Sequence, residues 1–249
     1  MLFRRIAEHV KDQNWTAVGL DFVIVVVGVF FGMQVQSLYE EGARQNADKQ
    51  YLERLHREVI ELKEIRAELI EPRRKNLTAL AQAAEIVFGD GEPRNLTTLE
   101  CTSIHLSHVY ASPTFDLPTV SELISAGRLD TLSSSSVREA IVHYTQGAAR
   151  AENLLAAVSN GRLMLSREYP ELITLDALDR GDLGLIVPTS SAKCDVPGMR
   201  ANQGFLNSFA DNIDRSATYF GFSFDETSAR LEALHKALDE DLGLSREGT

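Results

Sequence analysis

Cys101, His105 and His108 have the spacing C-x3-H-x2-H, the first pattern in this chain that points to chemistry. On a helix all three share one face. A thiolate with two imidazoles suits zinc or copper. The same cysteine has a second use, because the chain holds two cysteines, Cys101 and Cys194, and outside the cytoplasm such a pair can be oxidised. A bridge would staple an irregular loop to a helix and add roughly 2 to 4 kcal/mol. Three ligands on one helix are a loose pattern without geometry. The expected arrangement is therefore the disulfide, with no metal and no cofactor, and the Cys101/His105/His108 metal set is the weaker alternative.

Other chemistry is sparse. His56, His143 and His235 stand isolated in sequence and read as packing or surface residues. No G-x-S-x-G, phosphate-binding glycine loop, H-E-x-x-H or dinucleotide fingerprint is present. Glu61 and Glu64, and the run Asp239, Glu240, Asp241, lie on charged helix faces with nothing beside them to raise a pKa or orient a substrate. No catalytic residue is assigned, and a non-enzymatic role is expected. The formal charge of −11 argues against nucleic acid as a partner.

The remaining candidate is Asp21, the single formal charge between Ala17 and Leu38. It belongs to the stretch around which the chain is organised, Trp15 to Tyr39, which predicts one membrane-spanning helix. At about 1.5 Å per residue, Ala17 to Leu38 reaches roughly 33 Å, close to the ~30 Å hydrocarbon core of a bilayer. Arg4, Arg5 and Lys11 precede it, and Glu40 and Glu41 follow directly. That bias places the N-terminus in the cytoplasm. A long tail before the apolar run and the absence of an A-x-A pattern after it favour an uncleaved anchor over a signal peptide. At 100° per residue, Asp21, Gly28 and Gly32 fall within about 40° of one another. Gly28 and Gly32 have small-xxx-small spacing, which predicts a helix interface in a homo-oligomer or with a partner membrane protein. The competing reading puts Asp21 at the lipid interface and treats the glycines as ordinary for a span.

The segment WTAVGLDFVIVVVGVFFGMQV, followed by YLERLHREV, and the later stretch TVSELISAGRLDTLSSSSVREAIVHY together resemble a bacterial family of single-pass membrane proteins with no assigned function. The resemblance covers under a third of the chain. It implies a helical extracytoplasmic domain and no activity. Asp21-Phe22 at the cytoplasmic end of a lone span is also similar to flagellar-stator and energy-transducing proteins, in which such an aspartate is a proton site. The peptidoglycan-binding domain usual in stator proteins has no counterpart here.

Helices must position everything else. Leu52, Leu55, Val59, Leu62 and Leu69 fit an a/d stripe with Arg66 in the remaining slot, so 39–71 reads as one long helix that Pro72 stops or sharply kinks. The stripe fits either a coiled-coil stalk that pairs protomers or the first helix of an intramolecular bundle. Further helices are expected over 73–88, 95–110, 118–126 and 137–169, with Ser136 and Glu139 as a capping box. They continue over about 200–220 and about 224–242, where Ser223 and Glu226 read as the cap of the last. The span 174–200 is expected to be a loop over the bundle.

The expected fold is all-α: a cytoplasmic tail (1–14), a transmembrane helix (15–39), and an extracytoplasmic antiparallel bundle of about four main helices (40–249). The expected location is a bacterial inner membrane with the bulk of the chain periplasmic. The expected role is a sensor, scaffold or accessory subunit that works by binding. The alternatives are a proton-linked stator-like subunit using Asp21 and a metal-binding protein or enzyme using Cys101, His105 and His108.

Overall fold

A computed structural model describes residues 15–92, 94–111, 113–176 and 191–244; within its first helix the side chains of 15–19, 21, 37, 38, 40, 41 and 43 lie outside that description. The chain divides into two compact units, Met1–Tyr51 and Leu52–Thr249. It is mostly helical, 79% helix and 4% strand, so the all-α expectation holds as a class with one small hairpin added.

The first unit is carried by the beginning of helix α1, Trp15–Phe88. Every large apolar side chain from Phe22 to Val35 is exposed, Phe22 at 69% and Phe31 at 63%. Nothing lies within 4 Å of the position a Cβ would take on Gly28 or Gly32. Among the described residues no helix is long and apolar enough to cross a membrane. The unbroken run of described side chains, Phe22 to Gln36, reaches only roughly 22 Å at ~1.5 Å per residue. The side chain of Asp21 and the 1–14 tail fall outside the description.

The second unit begins with the rest of α1. Leu52, Leu55, Val59 and Leu62 of the a/d stripe are buried, and so is Arg66. Pro72 does not end this helix, which runs on to Phe88. Proline removes one amide donor and crowds the carbonyl four residues back, here that of Glu68. Beside it the Arg73 guanidinium donates to the Leu69 carbonyl at 2.9 Å.

Helix α2 (Thr98–His105) is shorter than expected and tightens into a 3-10 turn at Leu106–His108. Its start carries a complete capping box, in which Thr97 accepts from the Glu100 amide and Glu100 accepts from the Thr97 amide. Helix α3 (Pro118–Ser125) ends ahead of Gly127, whose φ of 62° suits a residue without a Cβ. Helix α4 (Ser135–Asn160) is capped by Ser134 rather than Ser136, and it stops at Gly161 instead of reaching Tyr169. A single turn, α5 (Leu165–Glu168), follows.

The expected loop over 174–200 contains an antiparallel pair instead, β1 (Ile173–Asp176) and β2 (Ser191–Cys194), with Ile173 opposite Cys194. Two four-residue strands carry too little periodicity to be read from sequence. Helix α6 (Val196–Ala201) leads into α7 (Gln203–Phe220), capped by Asn202.

The Ser223/Glu226 pair does not begin a new helix. Phe220, Gly221, Glu226 and Thr227 all keep right-handed helical dihedrals, and a π-helical turn, Gly221–Glu226, joins α7 to α8 (Thr227–Asp241). Among the described residues the long helices are the later part of α1, α4, α7 and α8, the last two joined into one rod. The cross-chain bonds His56–Asp239 and Arg66–Thr227 run α8 antiparallel to α1. Arg230 bonds the His143 carbonyl while Val158 packs with Tyr219 and Phe220, so α4 is also antiparallel to the joined rod. Gly147 lets these helices close together, because the Arg230 side chain occupies the place of its missing Cβ.

The core runs along these rods. At one end Leu80, Ala83, Val87, Ile104, Ile173, Phe205 and Phe209 form a cluster with the hairpin. At the other, Leu231, Leu234 and Leu238 of α8, with Val137 and Ile141 of α4, are buried along with the α1 stripe.

Candidate functional site

Pro72 and the 3-10 turn after α2 open a cleft of about 480 Å³ in the second unit. A helix passing through proline leaves backbone that neighbouring helices cannot pack against at full density. The 3-10 turn is narrower and rises further per residue than an α-turn, so the facing chain departs there from the α-helical path. Leu77, Leu80 and Phe220 give the cleft apolar walls, and Arg73 and Asn76 of α1 contribute polar ones.

Ser103 and Tyr110 line this cleft, and their hydroxyl oxygens lie buried behind its wall with no hydrogen bond of good geometry among the described residues. Ser216 lies beside Tyr110; it donates its own hydrogen to the Ser107 carbonyl at 2.9 Å, which leaves its oxygen able to accept from the phenol. Burial pushes the Tyr110 phenol above its ordinary range, against the pull of Ser216 and Arg215. Burial also raises Tyr219, whose hydroxyl donates to the Ala111 carbonyl and whose ring meets that of Tyr110 edge-on at 5.2 Å.

Arg66 is a second polar centre. Its Nη2 donates to the Ser223 carbonyl at 2.8 Å and to Thr227 Oγ1 at 2.5 Å, and Nη1 donates to the Thr114 carbonyl at 3.2 Å. The rings of Phe115 and Phe224 lie 5.4 and 5.7 Å from its guanidinium carbon. Burial lowers its pKa, partly offset by Tyr144 and Tyr219. Its partners are neutral oxygens and aromatic faces, the Ser223 carbonyl at the π turn among them. This arrangement aligns helices and offers no reactive group. The sequence signalled it as the one charge in an apolar stripe.

Cys101 and Cys194 are bonded to each other, with their Cα atoms 5.8 Å apart. The bridge ties α2 to β2. It also removes Cys101 from the alternative metal set, since a sulfur in a disulfide is no thiolate. His105 and His108 do not make good the loss. His105 Nδ1 contacts Ser166 Oγ at 3.0 Å, and His108 Nδ1 contacts the His105 carbonyl at 2.9 Å. Burial lowers the pKa of both, with each other's charge adding to the effect for His105.

A third polar group escaped the sequence reading. His56 and His235, isolated in the chain, stand side by side with ring centroids 5.1 Å apart, and Asp239 joins them. Only the His235-x3-Asp239 spacing, which puts both on one face of α8, carried any signal. Gly28 and Gly32 remain open to contact, as described above. No protein-family model, curated protein or solved structure matches this chain.

Proposed function

We propose that this chain is a non-enzymatic, membrane-anchored binding protein of the bacterial inner membrane, whose Leu52–Thr249 unit takes up a small amphiphile on the periplasmic side. The two stretches that resemble the single-pass bacterial family fit the same reading. The observation that carries it is an apolar cleft of about 480 Å³, walled by Leu77, Leu80 and Phe220 with Arg73 and Asn76 as its polar side. That volume suits a drug-sized ligand, and few, fixed polar groups among apolar walls are the usual form of such a site. The ligand would have an apolar body and hydrogen-bond acceptors. Arg73 at the cleft favours an anionic head.

The anchor is supported by the exposed apolar run Phe22–Val35. Soluble monomers rarely leave so continuous an apolar surface in water. The Cys101–Cys194 bond suits an oxidising compartment. Open space around Gly28 and Gly32 leaves room for a second helix there.

The test uses the purified full chain in detergent and the amphiphilic anion 1-anilinonaphthalene-8-sulfonate. Saturable binding at one site is expected, and Leu77→Trp, which narrows the cleft, should weaken it several-fold. Equal binding by Leu77→Trp would refute the cleft. For the anchor, alkaline carbonate should leave the chain in the membrane fraction, and protease on intact spheroplasts should digest the C-terminal unit. Release into the carbonate wash would remove the anchor from the proposal.

A further inference from the structure

His56 on α1 and His235 and Asp239 on α8 bring three ligand atoms within 4.8 Å of one another. His56 Nε2 is 2.8 Å from Asp239 Oδ1, and His235 Nε2 is 3.7 Å from the same oxygen. An ion pair needs one imidazole. Here two rings aim the same nitrogen at one carboxylate oxygen, a convergence that a simple pair does not require.

We infer that His56, His235 and Asp239 form a binding site for a divalent transition-metal ion of the Zn²⁺ type. Tetrahedral zinc with bonds of about 2.0–2.1 Å spaces its ligand atoms by about 3.3 Å. The two separations to Asp239 bracket that value and all three lie within 4.8 Å, so side-chain shifts of about 1 Å or a little more would admit the ion. Two imidazoles and a carboxylate suit zinc, and three protein ligands leave a coordination position open.

The elements hold these residues in place. His235 and Asp239 are one turn apart on α8, and the buried Leu231, Leu234 and Leu238 fix the rotation of that helix. Leu52, Leu55 and Val59 fix His56 on the facing helix in the same way. The side chains of His56, His235 and Asp239 are only 15 to 17% exposed. A shallow groove of about 360 Å³ runs beside Asp239, along Lys236 and Gly243.

Lys63 sets the condition for loading. Its Nζ lies 2.7 Å from His235 Nδ1 and also 2.6 Å from Glu232 Oε2. A histidine that ligates through Nε2 carries its proton on Nδ1. The ammonium must then leave Nδ1 and keep Glu232. The site is independent of the amphiphile cleft, so either can fail alone.

The test is titration of the full chain in detergent, stripped with EDTA, with ZnCl₂ by calorimetry. One equivalent is expected to bind. Affinity should fall at least tenfold in His56→Gln, His235→Gln and Asp239→Asn, and Zn²⁺ should raise the unfolding temperature of the wild type alone. No binding by the wild type, or equal binding by all three variants, overturns the site. If the variants lose helicity by circular dichroism, diethyl pyrocarbonate labelling of the wild type decides. Zn²⁺ should protect His56 and His235 while the exposed His143 still reacts; equal labelling with and without Zn²⁺ refutes the inference.

Discussion

Arg66 and the His56–His235–Asp239 group lie between the same two helices, roughly 15 Å apart along α1 at ~1.5 Å per residue, yet they solve opposite problems. Arg66 is 1% exposed and its partners are carbonyls, hydroxyls and ring faces. A charge held this way fixes how α1 meets the π turn, because a slip of one helix would strand it without those oxygens. The histidine group keeps contact with solvent and includes a carboxylate. Its members can exchange a proton or an ion without opening the core. Polar residues in one helix interface thus divide between a fixed alignment and an exchangeable site, and solvent access separates the two.

The sharpest way to break this comparison is truncation at both places. Arg66→Ala should cost about 3 to 5 kcal/mol, because it leaves a cavity and removes the hydrogen bonds to the Ser223 and Thr114 carbonyls. Arg66→Met should cost clearly less, since it fills the space and removes a buried charge. His56→Ala in metal-free protein should cost about 1 kcal/mol or less, as expected for a partly solvated pair. Denaturant unfolding reads all three, and equal losses at Arg66 and His56 would end the distinction.

Reduction of Cys101–Cys194 comes next, with roughly 2 to 4 kcal/mol lost across a loop closed over a sequence separation of 93. The loss should be felt first at β1 and β2. Hydrogen exchange should show that hairpin opening while the amides of α8 beside Arg66 stay protected. Simultaneous opening of both regions would mean that the rods and the hairpin end are one cooperative unit.

A smaller effect is expected at Glu100. Its hydrogen bond to Arg94, together with the Thr97 bonds, outweighs burial and holds its carboxyl down to about 2. A depressed carboxylate pKa contributes stability that is present above the ordinary range near ~4.3 and lost as pH falls toward about 2. Glu100→Gln should therefore destabilise by about 1 kcal/mol at pH 7 and by less below pH ~3. A difference that does not shrink with acid would show that the charge is not its source. The Arg66 contribution should be unchanged over the same range, which extends the contrast between a titrating and a fixed centre.

The smallest effect is expected in the cleft. Ser103→Ala removes an unpartnered buried hydroxyl and should leave stability unchanged or raise it by up to about 1 kcal/mol. Loss of stability in denaturant unfolding would assign Ser103 to packing.

The sequence by itself determined the helical class, the a/d stripe of α1 and its burial, the short helix ending at Gly127, and the pairing available to Cys101 and Cys194. These are local or nearly so: periodicity, caps and a count of two cysteines carry them. It read Ser223/Glu226 as the start of a helix and left Pro72 as either a stop or a sharp kink. Whether a proline or a capping pair ends a helix depends on what packs around it, and at the π turn the buried Arg66 bonds the Ser223 carbonyl and Thr227. The hairpin lacked enough residues to show a period of two. His56 is 183 positions from Asp239 in the chain, and no spacing rule spans that distance. Only the antiparallel packing of α1 on α8 brings them within bonding range, because burying two leucine stripes against each other fixes the rotation of both helices and so decides which polar residues meet at their edge.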